Sequence, residues 1–386
     1  MTDDDLSPEH AELVATVRRF ARDEVAPVIG DYYERKAFPY PLVAKMGDMG
    51  LFGLPFPEAY GGMGGDLLAL GLALEELARV DSSVAITLEA GVGLGATPIY
   101  RFGTEEQRQR WLPDLCAGRA LGAFGLTEPG GGSDAGATRT TARRDGDQWV
   151  IDGSKAFITN SGTDITSLVT VTAVTGRRAD RPAISAIVVP AGTPGFTVAP
   201  AYSKVGWAAS DTHELAFADC RVPADHLLGD EGRGYAQFLQ ILDEGRVAIA
   251  ALSVGLAQGC IDECLRYLDE REAFGHKIGR SQVLQFKVAD MDARTHVARL
   301  AWRDAATRLA AGRPFKREAA IAKLVASEAA MANAREASQI FGGYGFMNDT
   351  PVGRFYRDAK ILEVGEGTSE VQRMVIARHL GLPVQP

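Results

Sequence analysis

Basic residues are in the minority in this chain: 41 Lys and Arg stand against 50 Asp and Glu, a formal net charge of -9. That balance excludes the basic footprint of non-specific nucleic-acid binding, although a small basic pocket for an anionic ligand remains compatible with it. Long apolar runs are missing too. The longest weakly polar stretch, Val247 to Gln258, is too short to span a bilayer and is rich in small residues. Met1 to Leu6 carries three aspartates where a secretory leader would carry lysine and then an apolar core, so a cytoplasmic protein without a membrane span is expected. Cysteine is scarce. Cys260 and Cys264 lie one helical turn apart, but no histidine stands nearby in sequence to complete a site, so Cys116, Cys220, Cys260 and Cys264 read as buried thiols and no metal is expected. No Gly-x-Gly-x-x-Gly and no Gly-Lys pair occurs, which excludes a Rossmann fingerprint and a phosphate loop. His213-Glu214 opens a zinc-protease-like string, with Phe217 where the second histidine belongs. Gly131 to Ala135 around Ser133 misses the hydrolase nucleophile elbow by its last residue. A serine hydrolase would be colourless.

What is present is an ordinary enzyme composition, 46% hydrophobic and 24% charged over 386 residues, enough for two or three packed units. The first third has helical period. Ser7-Pro8 offers an N-cap and a proline at the first helical position, followed by Leu13, Val17 and Phe20. Leu67 to Arg79 and Thr104 to Leu115 read the same way. The period then shortens. Arg144 to Asp147 signals a hairpin, Trp149 and Ile151 alternate with polar neighbours, and Asp152-Gly153 predicts a second turn. Short strand candidates follow at Leu168 to Thr175, Ala183 to Val189, Phe196 to Ala199 and Glu214 to Phe217, with no long helix between them, which favours an antiparallel sheet or small barrel. From about Tyr235 the helical period returns and holds, as in a bundle. The reading is therefore α+β: an N-terminal helical domain (1–118), a middle antiparallel β-barrel (119–229) and a C-terminal four-helix bundle (230–386).

Three segments carry a more specific signal. They are Phe124 to Asp134 with Lys155 to Asn160; Arg271 to Gly275 with Gln282; and Gln339 to Gly345, Arg357 to Lys360 and Glu366 to Glu370. In this order and spacing, over nearly the whole chain, they resemble the acyl-CoA dehydrogenase family, whose α, β-barrel, α architecture agrees with the pattern above. The resemblance implies an FAD enzyme that forms a 2-enoyl-CoA from an acyl-CoA thioester. Glu366 would abstract the α proton, the β hydride would pass to flavin N5, and electrons would leave to an electron-transfer flavoprotein.

Residue by residue, the resemblance places Leu126, Thr127 and Ser133 along the flavin and acyl-CoA, Phe157 on the ring and Thr159 near N5. Phe157 departs mildly from a common tryptophan. Read alone, this segment would also suit a tight turn with a core phenylalanine. Arg271 would pair with pyrophosphate, Phe274 cover adenine and Gln282 bond ribose or phosphate, all toward the FAD of a neighbouring subunit in a homotetramer. Gln339, Gly343, Thr368 and Glu370 are assigned to the cofactor on the same basis. Asp243 and Arg246 would lie near the CoA chain or organise the site, though Arg246 could equally form a buried structural pair. Some relatives carry the base at the position of Gly245; glycine cannot serve, which leaves Glu366, flanked by Gly367. Glu244 lies about 100° away around the helix and should face elsewhere. Gly365 replaces a frequent tyrosine before the base and implies a wider pocket for branched or bulky acyl groups. The small residues of Thr87 to Gly95 suit either a roomy acyl pocket or close helix packing. The alternatives are an acyl-CoA oxidase, usually longer at its C-terminus than this chain ending at Pro386, another flavin oxidase on the same scaffold, or a non-catalytic CoA-binding partner subunit.

Overall fold

A computed structural model describes residues 5–178 and 181–384. The chain opens with α1 (Pro8–Phe20), whose first turn is capped where Ser7 Oγ accepts from the His10 N–H at 3.2 Å. A π-helical turn, Ala21–Val25, leads into α2 (Ala26–Arg35). Next come α3 (Tyr40–Asp48), α4 (Leu67–Ala78) and α5 (Ser82–Glu89). A second π-helical stretch, Ala90–Ala96, continues into α6 (Thr97–Phe102). The region ends with α7 (Glu105–Cys116), which starts in a capping box between Thr104 and Gln107.

The middle region is a sheet of β1 (Leu121–Gly125), β2 (Thr141–Asp145), β3 (Gln148–Thr159), β4 (Thr166–Arg178), β5 (Arg181–Pro190), β6 (Phe196–Val198), β7 (Thr212–Pro223) and β8 (Leu227–Leu228). Its order is β6-β7-β3-β2-β4-β5-β8, and most neighbours are antiparallel. β1 departs from the antiparallel expectation, pairing with β4 in parallel, because the β2–β3 hairpin is inserted between them in the chain. The hairpin turns at Gly146-Asp147 as expected, but Asp152-Gly153 does not turn the chain. β3 runs straight through it with a register shift against β7, and Gly153 has φ 146°, with Thr140 packed where a Cβ would stand. The local turn signal is overridden by strand pairing on both sides, leaving a bulge.

The C-terminal region contains α8 (Gly234–Glu270), a short β9–β10 ribbon (Glu272–Ala273, His276–Lys277), α9 (Gln282–Ala310), α10 (Lys316–Phe341), α11 (Pro351–Leu362) and α12 (Ser369–His379). α10 packs on α8 and α9, and α4 docks on α8. α8 is the one described helix long and apolar enough to cross a membrane, a length the apolar stretch alone does not suggest, yet most of its apolar portion is inside the protein. Gly245 to Ala257 is buried without interruption, because other elements surround the rod there. Glu75 of α4 fastens this packing by accepting from Trp302 Nε1 at 3.0 Å and Arg299 Nε at 2.7 Å on α9.

One buried carboxylate joins all three regions. Asp358 of α11 accepts from the Tyr33 hydroxyl at 2.6 Å, the Ser82 hydroxyl at 2.7 Å and the backbone N–H of Trp207 at 2.7 Å. Trp207 Nε1 also donates to Ser82 Oγ at 3.0 Å.

Candidate active site

The connection from α11 to α12 is held in an unusual backbone shape. Glu366 has φ 52° and Gly367 φ 97°, so the chain doubles back through the left-handed region before Thr368 caps α12 by accepting from the Val371 N–H at 3.3 Å. Glutamate is uncommon in this conformation. Two donors on the Gly367 carbonyl hold it there, Lys323 Nζ and Gln372 Nε2, both at 2.8 Å. The result is that the Glu366 side chain points inward, with both carboxyl oxygens buried.

Space for that carboxyl comes from α8. A Cβ on Gly245 would lie 2.0 Å from Glu366 Oε2, so only glycine leaves room. Beside it, Arg246 pairs with Asp243, which also pairs with Lys316 at 3.0 Å; all of Arg246 and Asp243 is buried. Glu244 turns to Arg101 at 3.0 Å, and both of them line the cavity that Gly245 also lines. Burial pushes the Glu366 carboxyl up to about 7, and it would be higher without Glu89, Lys323 and Arg246, which favour its charged form. A cavity of about 250 Å³ adjoins this point, lined by Phe56, Leu70, Gly93, Tyr100, Gly245 and Ala248 among others. Gly365 is half-buried and is not part of its lining; a Cβ there would meet the Ile361 carbonyl at 3.4 Å, close but without gross overlap.

The small residues after Thr87 divide their roles. A Cβ on Gly95 would lie 2.5 Å from the Gly122 carbonyl, and one on Gly91 3.0 Å from the Phe52 ring, so these two serve close packing. Gly93 opens instead onto the cavity and the Glu89 carboxyl.

On the sheet, Glu128 organises the glycine-rich turn. It accepts from the Arg139 N–H at 2.8 Å, the Thr140 N–H at 3.0 Å and Lys155 Nζ at 2.8 Å. Lys155 is fully enclosed and also donates to Thr172 Oγ1 at 3.0 Å. Leu126 is buried at the end of β1, Thr127 is half-buried and Ser133 is exposed on the turn. The Ala156 N–H donates to the Thr127 carbonyl at 2.8 Å and sets the turn against β3. Further along that strand Phe157 has φ 61° and is 66% exposed, while Thr159 is half-buried. Asn160 Nδ2 then donates to the Thr87 carbonyl at 3.0 Å, joining this edge to α5.

The second motif lies elsewhere, at one end of the bundle. Arg271 and Gly343 line a cavity of about 630 Å³ with Tyr267, Ile278, Leu284 and Phe341, and no described residue of the sheet contributes to it. The Arg271 guanidinium sits over the Tyr344 ring at 6.0 Å. Phe274, with φ 54°, is 98% exposed, and Gln282 and Gln339 are exposed as well. Thr368 and Glu370 stand at the start of α12, beside the Glu366 loop.

The sequence reading missed Glu89 and Lys323, both buried near Glu366. A charge inside the apolar run from Val84 to Ala96 was the available signal for the first.

These residues fit an FAD. An uncovered aromatic ring in a strained backbone stands beside exposed polar groups and an open glycine turn, and a guanidinium beside bare glycines and an uncovered phenylalanine suits a dinucleotide's phosphates and adenine.

Comparison with known proteins agrees over the full length. Residues 7–119, 123–220 and 232–381 match the N-terminal, middle and C-terminal domains of acyl-CoA dehydrogenases. The chain is 48% identical to the probable acyl-CoA dehydrogenase YngJ of Bacillus subtilis, over 97% of this chain and 99% of that one. Butyryl-CoA dehydrogenase from Megasphaera elsdenii superposes with a TM-score of 0.94 at 40% identity, covering 97% and 99% of the two chains. A chain in a structure described as the electron transferring flavoprotein of Acidaminococcus fermentans superposes at 0.95 with 42% identity, covering 98% and 99%. The chain therefore belongs to the acyl-CoA dehydrogenase family of FAD-dependent oxidoreductases.

Proposed function

We propose that this enzyme dehydrogenates a short acyl-CoA across its α and β carbons, with Glu366 taking the α proton. The observation that carries the reading is the Glu366 carboxyl: buried, without an ordinary hydrogen-bond donor among the described residues, pushed up to about 7 and set against Gly245, which lines a cavity. Such a group is a competent base near neutral pH. The Glu366 backbone N–H holds the thioester oxygen as negative charge develops there. Asp243 and Arg246 brace the base from α8, and Ser133, Gly365 and Gly367 border the thioester. Bound FAD supplies the acceptor for the hydride that leaves the β carbon.

Leu126, Thr127, Ser133, Phe157, Thr159, Thr368 and Glu370 hold the flavin half of the cofactor. Arg271, Phe274, Gln282, Gln339 and Gly343 serve the adenosine half of a neighbouring subunit's FAD. Support for that sharing is the bundle-end cavity, which no described sheet residue lines. The apolar row Val283, Phe286 and Val297 on the outer face of α9, each more than half exposed, suits the subunit contact of a homotetramer. A short acyl group is supported by the modest cavity and by the likeness to a butyryl-CoA dehydrogenase. Release of electrons to an electron-transfer flavoprotein is supported by the likeness to the Acidaminococcus chain.

The test is rapid anaerobic mixing of the FAD-bound enzyme with butyryl-CoA and longer or branched thioesters, following the visible flavin band. Wild type should bleach fastest with short chains. Glu366→Gln, with FAD retained, should lose on the order of 10²–10⁴-fold in that rate. Undiminished bleaching by the variant, or a wild type that no thioester bleaches, would overturn the reading.

A further inference from the structure

Glu89 ends α5 completely enclosed, at 0% exposure. The helix does not stop there but loosens into the π-helical Ala90–Ala96, an irregularity that in helices often accompanies function. Within that stretch the Glu89 carboxyl is what a Cβ on Gly93 would strike, with Oε1 at 2.7 Å. Across from it the Glu366 carboxyl is what a Cβ on Gly245 would strike. Two glycines from different helices, both lining one cavity, thus clear space for two acids. Among the described residues no other donor reaches any of their four oxygens, and the two carboxyls act on each other.

The surrounding charges are unevenly divided. Lys323 of α10 and Arg246 of α8 act on Glu366. Asp243 is occupied by Arg246 and Lys316, Glu244 by Arg101, while Glu363 and Glu370 act on Lys323. Among the described residues no cation acts on Glu89. Burial and the facing Glu366 hold its carboxyl well above the usual range. An ionised carboxylate sealed from water without donor or counter-charge is strongly disfavoured, so the proton resides on Glu89. The acceptor available to it is Glu366.

We propose that Glu89 is a positioning residue for the base: a neutral acid that donates its hydroxyl hydrogen to the Glu366 carboxylate and fixes that carboxylate beside the cavity. The proposal rests on Glu366 being the base. A charge-assisted bond of this kind also favours the ionised base, so Glu366 can accept the α proton at a lower pH than burial alone would permit. Glu89 itself never exchanges its proton with substrate.

The FAD-bound full-length enzyme, mixed anaerobically with butyryl-CoA over a pH series spanning neutrality, supplies the test. In Glu89→Leu the midpoint of the rate profile should rise by about one unit, with roughly tenfold loss at neutral pH recovered in alkali. Glu89→Gln keeps a neutral donor and should hold the midpoint where wild type has it. A residue of purely structural importance would depress the rate equally at every pH. Should the leucine variant fail to retain FAD, infrared spectra decide: wild type should keep a protonated-carboxyl band above neutral pH that Glu89→Gln lacks. A midpoint that stays put or falls in Glu89→Leu, or absence of that band, overturns the proposal. Glu366→Gln separates the two ideas. If it still bleaches, the base is wrongly assigned; if it is inert while both Glu89 variants keep the wild-type profile, only the role of Glu89 fails.

Discussion

Adding one methyl group at Gly245 tests how tightly the Glu366 carboxyl is placed. Gly245→Ala puts a Cβ 2.0 Å from Glu366 Oε2, whereas real Cβ contacts essentially never fall below 3.0 Å. The difference, 3.0 minus 2.0, means the carboxyl must withdraw by at least about 1 Å. Because the obstructing atom is the free end of a flexible side chain, the fold can absorb the shift. The helix should even gain, since alanine is favoured over glycine inside a helix by about 1 kcal/mol. A reacting group misplaced by about 1 Å costs on the order of 10²-fold in rate. Gly245→Ala should therefore retain FAD and its thermal midpoint while flavin bleaching by butyryl-CoA slows by about two orders of magnitude. Rapid-mixing spectrophotometry of the FAD-replete variant measures it. Bleaching at the wild-type rate would refute the placement of Glu366 against α8.

Two further outcomes are expected. Asp358→Ala orphans the Tyr33 hydroxyl, the Ser82 hydroxyl and the Trp207 N–H, at about 1–3 kcal/mol each, and should lower the thermal midpoint of the holoenzyme by many degrees, with Asp358→Asn milder. The raised Glu366 carboxyl should act in opposite senses on rate and stability: proton abstraction fails as pH drops through about 7, whereas its contribution to stability is full below its ordinary 4.5 and is lost as pH climbs through about 7. Comparing pH-dependent denaturation of wild type and Glu366→Gln checks the second half, and a stability slope over that window identical in both would contradict it.

Much of this was legible in the sequence because it is local. The caps at Ser7 and Thr104 need only three or four neighbouring residues, and the change of period from helix to strand and back is written in apolar spacing. The hairpin at Gly146-Asp147 is equally self-contained. Asp152-Gly153 misled because the same dipeptide serves a turn or a bulge, and Thr140 with β7 decides between them. Gly245 could be read as a missing base but not as the clearance for another, since Glu366 lies 121 positions away (366 minus 245). Glu89 and Lys323 escaped for the same reason: their meaning is a distance to Glu366, and period carries no such distance.

The long rod α8 carries Asp243, Gly245 and Arg246 near one end and delivers Arg271 just past the other. From Gly245 to Arg271 the helix spacing amounts to about 39 Å at 1.5 Å per residue. One inserted residue between them would advance Arg271 by about 1.5 Å and swing it about 100° relative to Gly245. The stretch works as a ruler graduated in whole residues. Its side chains can be exchanged within the packing, but a change of one residue in its length resets both the reach and the facing of Arg271.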